Sequence, residues 1–221
     1  MTNKRIVVIG AGGMAREIRW LISDINAVSL QYEFAGYIVS DLNAIGPHDS
    51  RGDIVGDYAW LNKNRSSVHA LAIGIGNPSA RLKVAQQLKA LAPDVEFPSL
   101  IHPTVVLDQA SATLEEGALV CAGVVATVNI KLQAFALCNF ACTLGHEATI
   151  GRGSVINPGA NVSGGVTIGD GVLVGTGARV LQYLSVGEGA TVGAGAVVTQ
   201  NVPAGVTVVG IPAKVLRSIG Q

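Results

Sequence analysis

From Leu114 to Val198 every sixth residue is apolar: Leu114, Val120, Ala126, Leu132, Cys138, Leu144, Ile150, Ile156, Val162, Ile168, Val174, Val180, Val186, Val192 and Val198. The fourth residue after the anchor is small or aliphatic at Ala118, Val124, Ala136, Cys142, Ala148, Ser154 and Ala160, and Gly follows the anchor in "LGHEAT", "IGRGSV", "IGDGVL", "VGTGAR", "VGEGAT" and "VGAGAV". A period of six predicts a parallel β-helix. Each hexapeptide makes a short strand and a corner, three complete a turn, and the anchors stack inward in columns. Fifteen hexapeptides make five turns, about 24 Å of stack at roughly 4.8 Å per strand spacing. One residue too many separates Leu107 from Leu114, so the first turn is expected to be irregular. The ending "NVPAGVTVVGIPAKVLRSIG", with Pro203 and Pro212, is expected to cap the stack with a short helix.

The first half carries a different pattern. "KRIVVIGAGGMAREIRWLISDI" reads as a short apolar strand, a Gly-rich turn and an amphipathic helix, with Gly10, Gly12 and Ala15 in a GxGxxA arrangement. Small residues there let a phosphate approach backbone N–H groups at a helix N-terminus. "EFAGYIVSD" reads as a second strand, "VHALAIGIG" as a third and "NPSARLKVAQQLKAL" as a helix, giving a parallel sheet of four strands at most. A dinucleotide site needs two mononucleotide halves, and this segment supplies one. A mononucleotide moiety such as the UDP of a nucleotide sugar fits better than NAD, and a bare structural turn is the alternative. "LAPDVEFPSLIHPT", with three prolines, suits a connector. The expected organisation is an α/β, half-Rossmann-like domain over 1–98 and an all-β parallel β-helix over 99–221.

Composition narrows the function. Of 221 residues 49% are hydrophobic and 14% charged, the formal net charge is zero, and no Lys/Arg cluster stands out, which argues against nucleic acid as a partner. The most apolar run, "GALVCAGVVATVNI", is too short for a bilayer and is interrupted by Gly and Asn, and "MTNKRIVVIG" shows no small-residue cleavage site. The chain is therefore expected to be cytoplasmic, with no membrane partner. Cys121, Cys138 and Cys142 form an odd set with no CxxC and no His at zinc spacing, so reduced thiols and no metal are expected.

The chemistry concentrates in "CNFACTLGHEATIGRGSVIN". His146 and Glu147 fall beside a corner, away from the inward slots of Leu144 and Ala148, so both point out of the prism. A neutral imidazole with a reference pKa of about 6.5 suits removal of a proton from an attacking amine or hydroxyl, and a carboxylate can fix its tautomer. Spacing alone does not decide whether the two touch, nor whether they are a solvated surface pair. His48, His69 and His102 lack catalytic neighbours and are expected to be structural or exposed.

The six-residue register, the ending "VPAGVTVVGIPAKV", the "LGHEATIG" coil and "VVIGAGGMAREI" together resemble a family of bacterial sugar acetyltransferases over nearly the whole chain. It groups sialic acid O-acetyltransferases with UDP-4-amino-sugar N-acetyltransferases among the left-handed β-helix acyltransferases. The resemblance implies left-handedness, where the usual crossover rule would give the opposite. It further implies a homotrimer with acetyl-CoA between neighbouring prisms, His146 as general base and Glu147 as its partner acid. Asn139 matches a recurring position, as a donor to substrate or oxyanion, with a corner amide bonding its own backbone as the equal alternative. Gly12, Gly13, Ser40, Asp41, Gly76, Asn77 and Arg81 become the nucleotide-sugar candidates. Gly164, Gly165 and Gly177 are candidates for lining acetyl-CoA, and Lys214 for a phosphate. Relatives often carry a second His where this chain has Val155, a role Asn157 is a candidate to replace. The implied activity is acetyl-CoA-dependent acetylation of the amine of a nucleotide-linked amino sugar in surface-glycan synthesis. O-acetylation of a sugar or sialic acid hydroxyl, and a non-catalytic nucleotide-sugar-binding scaffold, remain the alternatives.

Overall fold

A computed structural model describes residues 3–216. The first domain is a four-stranded parallel sheet: β1 (Lys4–Ile9), β2 (Tyr32–Ile38), β3 (Ile54–Gly56) and β4 (Ala70–Ile73), in the order β3-β2-β1-β4. Helix α1 (Gly13–Val28) follows β1, α2 (Tyr58–Asn64) follows β3 and α3 (Pro78–Leu91) follows β4. Alternation along β1 sets the layers. Ile6 and Val8 bury against α1, while Val7 and Ile9 bury on the other face with Leu61 of α2 and Ala85 and Leu88 of α3. The short β3 and α2 went unassigned from sequence, because "DIVGDYAWLNKN" is too short to show a period. Asp57 starts α2 by accepting the Trp60 N–H at 2.9 Å.

The second domain is a triangular prism of two-residue strands, each paired in parallel with strands one turn away, 18 residues apart through most of the stack. Its first face runs from Leu100–Ile101 through Leu119–Val120, Leu137–Cys138, Val155–Ile156, Leu173–Val174 and Thr191–Val192 to Thr207–Val209. The second runs from Val106–Leu107 to Val197–Val198 and the third from Thr113–Leu114 to Ser185–Val186. The second residue of most pairs is the inward anchor, and these anchors with their small companions form one dry column. The stack starts earlier than the uninterrupted period shows, at Leu100. The extra residue before Leu114 is absorbed in a bend where Asp108 accepts the Ser111 hydroxyl at 2.5 Å and Ser111 Oγ accepts the Asn129 N–H at 2.8 Å.

The corners follow one conformation. Every sixth residue from Gly117 to Gly195 has a left-handed φ; nine of these fourteen are Gly, and Asn129, Phe135, Ala141, Glu147 and Tyr183 hold the rest. The cap departs from expectation. The described residues form an antiparallel pairing of Thr207–Val209 with Lys214–Val215 rather than a helix. Gly210 turns the chain at φ +93°, Pro212 offers no N–H, and β-branched Val208, Val209 and Val215 suit extended pairing; residues 217–221 lie outside the described residues.

The two domains share a core. Outward-facing Leu100, Leu119, Leu137 and Val155 of the first face are buried in one cluster with Ile18, Leu21, Ile22 and Ile25 of α1. His102 Nε2 bonds Asp24 of α1 at 2.9 Å, and Trp20 stacks on Phe140 at 5.9 Å. The α/β domain therefore sits on the early coils and leaves the last ones uncovered.

Candidate active site

His146 and Glu147 follow the second-face strand Thr143–Leu144, on the edge between the second and third faces. Glu147 takes the left-handed corner at φ +63°, a conformation that costs an ordinary residue roughly 1–2 kcal/mol. That turn swings its carboxylate alongside its neighbour, and Oε2 lies 3.0 Å from His146 Nδ1. A carboxylate only accepts, so in the neutral imidazole Nδ1 carries the proton and Nε2 keeps its lone pair. Both side chains are about half exposed, at 51% and 56%.

Nε2 faces along the edge toward the next turn. A Cβ placed on Gly164 would lie 2.5 Å from Cε1 and 2.8 Å from Cδ2 of His146, with Nε2 closer still. The ring thus rests on a residue that has no side chain to push it away. Gly165 donates to the His146 carbonyl at 2.7 Å and is covered from the far side by Tyr183, whose Cε1 would lie 2.6 Å from a Cβ there. Gly164 and Gly165, expected to line acetyl-CoA, are each partly covered by a ring of their own chain. Sequence reasoning missed this use; the usable signal was the spacing, since 146/147, 164/165 and 182/183 recur on one edge.

The other prism candidates lie elsewhere. Asn139, Asn157 and Gly177 belong to the edge between the first and second faces, and Lys214 is exposed on the cap. Asn139 takes the corner-amide alternative. It is 4% exposed, and its Oδ1 accepts the Phe140 N–H at 2.8 Å, because α1 covers this edge through the Trp20–Phe140 stack. Val155 is fully buried in the interdomain cluster. Gly177 faces open space, with nothing within 4 Å of a Cβ position.

In the α/β domain, Gly12, Gly13, Ser40, Asp41, Gly76 and Asn77 gather at the carboxyl ends of β1, β2 and β4. The strand order reverses there between β1 and β4, where open α/β sheets form their ligand crevice. Gly74 lets α1 pack against the end of β4, since a Cβ on it would lie 2.6 Å from the Ala15 Cα. Asp41 Oδ1 accepts the Asn43 N–H at 2.8 Å, and Asn77 caps α3 through the Ala80 N–H at 3.0 Å. The loop after β2 folds back over the Gly-rich turn: Ser50 N–H bonds the Ala11 carbonyl at 3.1 Å and Arg16 reaches the His48 carbonyl. This brings Asp49 Oδ1 to 3.5 Å from the Cβ position of Gly12, an acid at the crevice that sequence reasoning did not single out.

Arg81 does not join this group. It is wholly buried, and its guanidinium donates to the carbonyls of Ile73 and Phe135 at 2.6 Å and to those of Ile75 and Gly117 at 3.3 and 3.4 Å. Burial lowers its pKa to about 10, which leaves it charged at neutral pH. It rivets α3 to the prism, a role invisible in "NPSARLKVAQQLKAL", where an Arg in a polar helix reads as exposed.

Residues 5–88 match the PglD N-terminal domain, and residues 147–182 match the bacterial transferase hexapeptide, six repeats. No curated protein sequence matches the chain. Solved structures do. WeeI from Acinetobacter baumannii is 32% identical, with 97% of this chain and 100% of that one covered and a TM-score of 0.83. The acetyltransferase domain of PglB from Neisseria gonorrhoeae is 30% identical over 97% and 100%, with a TM-score of 0.83, and has also been solved with acetyl coenzyme A. PerB from Caulobacter crescentus, in complex with CoA and GDP-perosamine, is 27% identical over 98% and 99%, with a TM-score of 0.84.

Proposed function

This chain belongs to the PglD-like N-acetyltransferase family, and we propose that it transfers acetyl from acetyl-CoA to the amine of a nucleotide-linked amino sugar. The observation that carries the assignment of the base is the 3.0 Å His146–Glu147 bond, which puts the proton on Nδ1 and leaves Nε2 its lone pair. The amine lone pair attacks the thioester carbon, Nε2 takes the proton that the nitrogen loses, and Glu147 steadies the imidazolium. Collapse breaks the C–S bond, and the proton passes to the departing sulfur, so the products are the amide and free CoA. The crevice at Gly12, Gly13, Ser40, Asp41, Gly76 and Asn77 holds the nucleotide; UDP is the first to try, and a guanosine diphosphate is the alternative motivated by PerB.

A homotrimer completes the site. His146, Gly164 and Gly165 stand on one edge, while Asn157 and Gly177 stand on another edge of the same prism. Packing prisms edge to edge brings the two sets together. The second face between those edges exposes Val106 and Val125, apolar area suited to such packing. N-acetylation is preferred over O-acetylation because perosamine N-acetyltransferase is among the structural relatives.

The test is CoA-thiol release with a panel of UDP- and GDP-linked amino sugars. His146→Ala is expected to lower kcat by about 10²- to 10⁴-fold while CoA binding persists; a variant retaining most of kcat removes His146 as base. An alkali-labile product would establish the ester instead of the amide.

A further inference from the structure

The hydrogen bonds of the buried Arg81 guanidinium all go to backbone carbonyls, and none goes to a carboxylate of the described residues. Taking a charge out of water is costly even when it is fully hydrogen-bonded. The bonds to Phe135 and Gly117 tie α3 to the prism. Those to Ile73 and Ile75 do something else. These two residues lie at the end of β4 and just beyond it, and β4 is an edge strand with β1 on its other side. Backbone groups alternate in direction along a strand, so both carbonyls point away from β1 and onto Arg81.

In a trans peptide the N–H points opposite to the preceding carbonyl. Arg81 therefore fixes the N–H groups of Gly74 and Gly76 toward the β1 side. That of Gly74 is taken by the Ile9 carbonyl at 2.8 Å. Gly76 is the next donor on this side, but β1 has ended. Gly10 turns the chain at φ +97°, and the Ala11 carbonyl is spent on the Ser50 N–H at 3.1 Å. No backbone carbonyl of the described residues accepts the Gly76 N–H. It is aimed into the crevice where the strand order reverses, and a Cβ on Gly76 would lie 3.9 Å from Met14 Cε on the facing turn of α1.

The two walls of this crevice differ in charge. On the β1 side the Asp49 carboxylate stands at Gly12, with Oδ2 held by the Gly46 N–H at 2.8 Å. On the β4 side a guanidinium lies behind the Ile75–Gly76 peptide, and a cation on a carbonyl polarises the N–H at the other end of the same peptide.

We propose that Arg81 is a positioning residue for the diphosphate of the substrate: it aims the Gly76 N–H into the crevice, so that the diphosphate lies over the β4–α3 turn and the nucleoside is left with the β1 and β2 side. The inference rests on the nucleotide-sugar reading of the crevice given above. It departs from the GxGxxA arrangement taken alone, which brings a phosphate to the α1 N-terminus; here the Asp49 charge already stands at that turn. Arg81 touches no phosphate. It acts through the peptide in front of it.

Calorimetric titration with UDP and with uridine, and with GDP and guanosine, reads the contribution of the diphosphate apart from that of the nucleoside. Gly76→Pro removes the donor and leaves Arg81 in place. A hydrogen bond to a charged group accounts for about 10- to 100-fold in affinity, so Gly76→Pro is expected to weaken the diphosphate by that factor and leave the nucleoside unchanged. Arg81→Met is expected to weaken the diphosphate about tenfold, again with the nucleoside unchanged; a merely structural role would weaken both alike. Should Arg81→Met fail to fold, Gly76→Pro decides. Full diphosphate affinity in Gly76→Pro, or equal losses of diphosphate and nucleoside in Arg81→Met, overturns the proposal. So does a tenfold tightening of the diphosphate by Asp49→Asn, which would put the phosphates on Gly12. Wild-type protein that binds neither diphosphate more tightly than its nucleoside overturns the proposal together with the nucleotide reading. Selective loss of the diphosphate in both variants supports it even where wild-type protein releases no thiol with any amino sugar, the result that would count against acetyl transfer alone.

Discussion

Replacing Gly164 by Ala places one methyl group under the His146 ring. The new Cβ would lie 2.5 Å from Cε1 and 2.8 Å from Cδ2, where carbon contacts settle at about 3.5–4.0 Å. The backbone beyond it is well packed: Gly165 donates to the His146 carbonyl at 2.7 Å and the Tyr183 N–H bonds the Gly164 carbonyl at 3.0 Å. The half-exposed imidazole is the movable part, so it retreats by about 1 Å and pulls Nδ1 away from Glu147. A misplacement of that size costs on the order of 100-fold in rate, equivalent to about 2.7 kcal/mol of barrier. Stability should not follow, because Gly164 is not among the left-handed corners and Ala there restricts the unfolded chain as well. Thiol-release kinetics and a melting curve read the two quantities separately. The expected result is a large loss of kcat with a melting temperature equal to or slightly above wild type. A kcat within threefold of wild type would show that Nε2 does not act from the face resting on Gly164, and would remove His146 in this orientation from the mechanism.

Glu147→Gln keeps the shape but loses the charge that steadies the imidazolium; kcat is expected to fall about 10- to 100-fold, with KM for acetyl-CoA unchanged. Arg81→Met leaves the carbonyls of Ile73 and Phe135 without their donor and is expected to cost about 2–4 kcal/mol in denaturant unfolding; a loss below 0.5 kcal/mol would mean that the rivet is dispensable. Burial pushes the Cys121 thiol from 9.0 up to about 12, and a hydrogen bond to Cys142, with burial behind it, raises Cys138 as well. A thiol that holds its proton more tightly when folded contributes stability that is complete below about pH 9 and is lost as pH rises toward 12. Melting temperatures should therefore decline above pH 9, and Cys121→Ala should flatten that decline.

The period-six columns were legible because an inward slot tolerates only apolar or small side chains, so fifteen anchors could be counted before any coordinates. His146 and Glu147 were legible as the polar exceptions beside one corner. Their contact was not, because it depends on φ at Glu147, a choice that adjacent side-chain types do not encode. Arg81 went astray for a related reason. Whether a polar group meets solvent depends on which prism face the other domain covers, and that is settled by α1 and α3 packing across residues more than fifty positions apart. The cap strands were hidden by their mixture of Pro, Lys and Leu, which suits a helix end as well as a hairpin.

Because each strand pairs with those one turn before and after it, a coil's place in the stack is set by its immediate neighbours there. The prism is therefore modular in its geometry. An 18-residue cassette gained or lost between the Tyr183 turn and the cap would move the cap by about 4.8 Å and leave the His146 edge as it is. Chain length in this part of the molecule works as a ruler, graduated in whole coils, that fixes how far Lys214 stands from the reacting groups.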